Sequence, residues 1–318
     1  MSKMKLTIDL LKKEAINFCK RESNISHEEL VGITDGKAVG TYIEHKFEEY
    51  IKNKYEVTIG SSAKGIDLPD ENINTDIKVT SGRYGLGSKD TTPAQIMAVV
   101  ENLFAAEPKN GFTVGINDDV TNLSLPVGEE IALAKEGTFE ALFFGLGADG
   151  TVGANKNSIK IIGGSTDKYC QAYFSYDSKK SGGYTSSHLR FGDKPITSPY
   201  LVTTPDFIAC HVPSYVDKYD VLKGLKHGGS FLLNSVLDAE ATCASLPTHM
   251  KVYLAKHNIN FYIINATKIA AELGLGNRTN TIMQSAFFKI ANVIPFEKAV
   301  EEMKKAIYKS YGKKGEDI

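Results

Sequence analysis

The chain has 318 residues, 42% of them hydrophobic, and a formal net charge of −1, enough to bury a sizeable core in two or three domains. The near-neutral balance argues against the basic excess that non-specific DNA binding favours. No run of about 20 apolar residues is long enough to span a membrane, and four dispersed cysteines without a C-x-x-C pair argue for reduced thiols in a cytoplasmic protein and against a local zinc or iron–sulfur site.

From the N-terminus the pattern predicts helix, helix and then strands. Across Thr41 to Tyr55, Ile43, Phe47, Tyr50 and Ile51 recur at helical spacing with Glu44, Glu48 and Glu49 between them, the mark of an amphipathic helix. Tyr55 to Ile59 predicts a strand. So does Ile73 to Val79, where Ile73, Thr75, Ile77 and Val79 alternate with Asn74, Asp76 and Lys78. The character changes at Ser81-Gly82: Gly82, Gly85 and Gly87 crowd together, and a new helix begins near Thr92-Pro93. Gly111 to Ile116 predicts a strand and Asn117 to Glu130 an irregular connection. Beyond Phe139, strand-like Ala141 to Phe144, Ala172 to Tyr176, Asp206 to Val212, Ser230 to Asn234 and Ile259 to Ala266 alternate with helical patterns. This rhythm predicts an α/β layered domain with a largely parallel sheet, its ligand crevice at the carboxyl ends of the strands. A last helix runs from Phe296 to Tyr311.

Two constellations could carry chemistry. Gly145-Leu146-Gly147-Ala148-Asp149-Gly150 follows an apolar run and opens a helical pattern. Glycines allow close backbone approach there, and a helix N-terminus attracts phosphate; a tight strand-to-helix turn without a ligand uses the same residues. Lys179 and Lys180 after the next strand, and the Asn277-Arg278-Thr279-Asn280 cluster, would add cations and amides. About 20 residues past the glycine loop stand Tyr173 and Phe174 instead of the ribose-binding carboxylate, which disfavours a standard dinucleotide. The second constellation is Asp67 with Asp76 and Lys78, two apart on one strand face, joined by Glu44 from the preceding helix. Such carboxylates would hold magnesium and the lysine would assist phosphodiester hydrolysis; an exposed polar strand face is the plain alternative. The seven histidines show no metal spacing, and His188, His211 and His227 read as core or surface residues.

Arg83-Tyr84-Gly85-Leu86-Gly87-Ser88-Lys89, Phe112 through Thr121, Gly145 through Ile162, Tyr176-Asp177-Ser178-Lys179-Lys180-Ser181-Gly182, His188 through Gly192 and Gly276 through Gln284 appear in order. On these stretches residues 82–318 resemble an internal part of the pyruvate:ferredoxin (flavodoxin) oxidoreductase family. The resemblance implies the end of the family's domain II over 82–138 and its gamma domain over 139–318, a unit that contacts coenzyme A. It carries Gly145, Leu146, Gly147, Ala148 and Asp149 over as the lining of the coenzyme A phosphates, supported by Lys180 and by Asn277 or Asn280. The family decarboxylates pyruvate oxidatively to acetyl-coenzyme A with thiamine diphosphate and iron–sulfur clusters, and passes electrons to ferredoxin or flavodoxin. The domains that hold those cofactors have no counterpart in this sequence, which implies that this chain does not run the reaction alone.

Residues 1–81, a small α+β segment, are instead similar to the start of a type II restriction endonuclease of the PD-(D/E)xK superfamily. Gly40 through Phe47 resemble the helix with its auxiliary glutamate, and Gly65 through Pro69 followed by Thr75 through Ser81 resemble the metal and lysine strands. That likeness implies Glu44, Asp67, Asp76 and Lys78 as catalytic residues, Asp67 and Asp76 as magnesium ligands, and DNA as the partner. Two incomplete patterns meeting near Ser81-Gly82 predict a fused reading frame, with an inert product as the remaining alternative.

Overall fold

The computed structural model describes residues 3–22, 24–31, 36–60, 66–75, 77, 82–83, 90–116, 120–147, 149–176, 183–276 and 278–311. The chain forms two compact units, the first comprising 1–86 with 95–128 and the second 87–94 with 129–318.

In the first unit, β1 (Met4–Lys5) precedes α1 (Ile8–Glu22) and α2 (Gly36–Lys54), and β2 (Tyr55–Glu56) pairs in parallel with β1. The helical repeat of α2 buries Phe47, Tyr50 and Ile51 against Leu11 and Phe18 of α1, with Phe18 and Phe47 ring centres 5.0 Å apart. A carboxylate sits in this core. Glu14 accepts from the Tyr50 hydroxyl at 2.6 Å, Lys54 Nζ at 2.8 Å and the Tyr55 hydroxyl at 3.0 Å. The Lys54 hydrogen bond and then that of Tyr50 pull its pKa from 4.5 down to about 2. The strand expected over Ile73 to Val79 is not formed at Ile73. Ile73 and Asn74 both donate backbone N–H to Asp70 O, Asn74 takes φ 37°, and among the described residues of this segment Thr75 alone forms a bridge, an isolated antiparallel one with Leu68. Asp76 and residues 78–80 lie outside the described residues. A second small core of Ala98, Phe112, Val114 and Leu125 joins β3 (Gly82–Arg83), most of α3 (Pro93–Leu103) and β4 (Phe112–Thr113).

The second unit is a six-stranded sheet. Its strands are β5 (Phe139–Leu146), β6 (Tyr169–Tyr176), β7 (Tyr184–Gly192), β8 (Phe207–Cys210), β9 (Ser230–Asn234) and β10 (Asn260–Ile264), in spatial order β10-β9-β8-β5-β7-β6. β5, β8, β9 and β10 pair in parallel, and β7 runs antiparallel to both β5 and β6. The sheet is therefore mixed and mostly parallel, as the α/β rhythm predicts. α4 (Thr151–Ser165) crosses from β5 to β6. α5 (Ala239–Ser245) and α6 (Thr248–Lys256) connect β9 to β10, and α7 (Ala266–Glu272), α8 (Asn280–Ala291) and α9 (Phe296–Tyr311) follow.

Strand alternation sorts two cores onto two faces. Ala141, Phe143, Leu189, Phe207 and Leu232 pack against Ile162, Met283, Phe287 and Met303 of α4, α8 and α9. On the other face Leu142, Phe144, Ile208 and Phe231 meet Tyr215, Leu222, Leu225 and Met250. β7 was not expected from the pattern. Its polar Thr185, Ser186, Ser187, His188 and Arg190 offer no apolar run, yet all are buried because β7 is an interior strand with both faces covered.

Candidate functional site

The glycine loop leaves the carboxyl end of β5 and enters α4. Gly150 stands at φ 84°, the left-handed conformation that glycine adopts without strain, and a Cβ there would approach the Asn280 amide to 3.0 Å. The loop therefore brings the N-terminal turns of α4 and α8 together, joining Asn280 to the glycines. Gly147 N–H donates to Gly183 O at 2.9 Å, so the β6–β7 connection meets the same loop. Lys180 and Asn277, which would complete the cluster, lie outside the described residues, as does Ala148.

Asp149 braces the loop from within. Its Oδ2 accepts from Leu146 N–H at 2.8 Å and its Oδ1 from Thr151 N–H at 2.7 Å, so those two amides are already satisfied. Beneath them Thr151 Oγ1 lies 2.9 Å from His211 Nδ1 at the end of β8. Burial lowers the His211 pKa to about 4, with the Asp149 charge acting in the opposite direction, and the imidazole is neutral at pH 7. Gln284 of α8 donates to Ala154 O at 3.1 Å and to Ser158 Oγ at 2.9 Å, locking α8 onto α4.

Beside the loop opens a cleft of about 470 Å³ lined by Gly150, Gly153, Lys156, Lys160, Asn280 and Ile307 among others, within the size range of small-molecule sites. Lys156 and Lys160 are i and i+4 on α4 and share one face of it. Neither lysine stood among the expected site residues, although both follow Gly150 within ten positions. The Gly153 N–H has no backbone acceptor among the described residues and, in the first turn of α4, adds to the positive end of the helix.

In the first unit Glu44 and Asp67 do come together, joined by Glu48, with carboxylate oxygens of all three within 4.8 Å of one another. Asp67 Oδ2 also accepts from Ile77 N–H at 2.7 Å. Desolvation, and then the charge of Asp67, raise the Glu48 pKa. Glu48 was absent from the expected set despite lying one helical turn beyond Glu44. Lys78 and Asp76 fall outside the described residues.

Residues 140–318 match the family described as pyruvate ferredoxin/flavodoxin oxidoreductase. The chain belongs to that family. A pyruvate:ferredoxin oxidoreductase of Moorella thermoacetica is 60% identical over 242 residues, which cover 76% of this chain and 21% of the relative. The pyruvate-flavodoxin oxidoreductase of Klebsiella pneumoniae is 56% identical over 239 residues, covering 74% and 20%. That of Nostoc sp. is 44% identical over 282 residues, covering 89% and 23%. The chain thus spans about a fifth of the length of the oxidoreductases it matches. Among solved structures, pyruvate oxidoreductase subunit PORC of Thermotoga maritima aligns with a TM-score of 0.43 at 22% identity, over 55% of this chain and 86% of that one. Residues 5–92 match a different family, type II restriction enzyme NspV.

Proposed function

We propose that the second unit is the coenzyme A-contacting gamma part of a pyruvate:ferredoxin (flavodoxin) oxidoreductase. The observation that carries this is the convergence of the glycine loop, two helix N-terminal turns, Lys156, Lys160 and Asn280 on one cleft. Phosphates need cations and unsatisfied N–H donors, and this cleft supplies both. In the intact enzyme the reaction is oxidative decarboxylation of pyruvate to acetyl-coenzyme A, with electrons passed to ferredoxin or flavodoxin. Thiamine diphosphate and iron–sulfur clusters would supply the decarboxylation and electron chemistry. The donors present do not fit a cluster: Cys19, Cys170, Cys210 and Cys243 lie on α1, β6, β8 and α5, and Cys210 is buried. No step in this chain is therefore assigned to those groups. On this reading residues 82–138 are the end of domain II and 139–318 the gamma domain.

Calorimetric titration of the full chain with coenzyme A tests the proposal. Binding is expected, and Lys156→Met with Lys160→Met should weaken it about tenfold or more, the loss of roughly 1.4 kcal/mol of charge-assisted hydrogen bonding. No heat at millimolar coenzyme A overturns it.

The Glu44, Glu48 and Asp67 cluster supports a second reading for residues 1–81, a magnesium-dependent nuclease remnant. Three carboxylates this close repel, and a hard divalent cation relieves that repulsion. Plasmid cleavage by the full chain with magnesium, lost in Asp76→Ala, supports this reading, and intact plasmid removes it. A fused reading frame accounts for two families in one chain. Long-read sequencing of the locus, together with a transcript that spans the join, distinguishes a genuine fusion from an assembly artefact.

A further inference from the structure

The opposite face of the sheet carries a second cleft, of about 370 Å³. Its floor follows from strand register: Leu142 pairs with His188 and Phe144 with Ser186, and Tyr184 continues the row along β7. Its wall is aromatic. Tyr184 and Tyr219 lie 4.7 Å apart between ring centres, Phe144 is 5.8 Å from Tyr184, and Tyr219 remains 42% exposed.

The polar groups of this cleft are arranged in one direction. Val202 N–H donates to His188 Nδ1 at 3.1 Å, which leaves the proton of the neutral imidazole on Nε2, 3.0 Å from Ser186 Oγ. Tyr184, two residues before Ser186 on β7, lies on the same face of the strand. Among the described residues, two further lining groups have a buried oxygen with no hydrogen-bond partner, Glu130 Oε2 and Thr203 Oγ1. A carboxylate on a largely apolar wall is costly unless a cation or an N–H donor faces it. Lys223 at the rim supplies the opposite charge, with Asp220 beside it.

Glu130 and Lys223 thus line one cleft with opposite charges. We propose that this cleft binds a small zwitterion with a flat apolar body, the chemistry of an aromatic amino acid. The ammonium meets Glu130, the carboxylate meets Lys223 and the Tyr184 hydroxyl, and the ring lies on Tyr219. This site is separate from the coenzyme A cleft and does not depend on it.

Saturation-transfer NMR of the full chain with millimolar L-phenylalanine tests the assignment. Transfer should be strongest to the ring protons. Lys223→Met, at an exposed position where folding is not at stake, should weaken binding about tenfold, as should removing the ligand's carboxylate by using L-phenylalanine amide. Glu130→Gln and 3-phenylpropionate, which lacks the ammonium, should show the matching loss. The proposal is overturned by absent transfer, by affinity unchanged in Lys223→Met, or by displacement of the probe by coenzyme A.

Discussion

At the scale of single residues, buried ionisable groups set the chain's response to acid. Glu14 titrates near 2 in the folded chain against 4.5 for the free group, so its stabilisation is present above pH 4.5 and is lost as pH falls toward 2. Glu14→Gln removes the charge from a carboxylate that holds three donors, and should cost about 1–3 kcal/mol at pH 7. Urea titrations of both proteins should show the gap closing in acid. His188 and His211 are both depressed to about 4 by burial. Each favours the folded state fully above pH 6.5 and progressively less as pH falls to 4, where the unfolded chain binds the extra proton. Their imidazole resonances should therefore stay at neutral-form shifts between pH 7 and 5, and a midpoint near 6.5 would contradict the burial that defines both sites. Glu44 and Asp67 were legible as candidates because chemistry names residue types. Glu48 was not, since only the fold brings the helix face to the loop.

Among elements, β7 joins the edge strand β6 to β5, and its interior place goes with buried, hydrogen-bonded Arg190. Arg190 is 1% exposed and donates to Glu140 at 2.7 Å, to Gln171 at 2.9 Å and to the Tyr200 carbonyl at 2.7 Å. Removing Arg190 leaves the buried Glu140 carboxylate to the more distant Lys226, at 3.6 Å. Arg190→Met should cost about 3–5 kcal/mol by the general behaviour of broken buried pairs, with the Glu140→Gln/Arg190→Met double variant recovering part of that. A simple sum of the single losses would show that the pair does not interact. On the other side of the sheet architecture, Phe287 of α8 is fully buried and touches the rings of Phe143, Phe207 and Phe288. Phe287→Ala should destabilise by about 3–5 kcal/mol in thermal unfolding through the cavity it opens. The strands β5, β8, β9 and β10 were readable because their apolar runs are continuous. The strand β7 was hidden, because polar Thr185, Ser186, Ser187, His188 and Arg190 break up its apolar residues and the partners of Arg190 are distant in sequence.

For the whole molecule, the cores of the two units share no residue, and residues 5–92 and 140–318 match different families. A ligand stabilises only the state that binds it, by about 2.7 kcal/mol at a concentration 100 times its dissociation constant. Coenzyme A should therefore slow proteolysis and hydrogen exchange in α4 and α8 while leaving α1 and α2 unchanged. Equal protection of both sets would place its site elsewhere. The α/β rhythm, the glycine turn and the family were all determined by the sequence alone, because periodicity and short motifs are properties of neighbours along the chain. Only the tertiary structure decided which side chains share a site. It placed Lys156, Lys160 and Asn280 around Gly150, set Asp149 to brace the loop, and turned His188 and His211 into neutral buried groups. Those outcomes depend on strand register and on helices that meet across 130 residues of sequence, as Gln284 does with Ala154, and no local pattern encodes such a meeting.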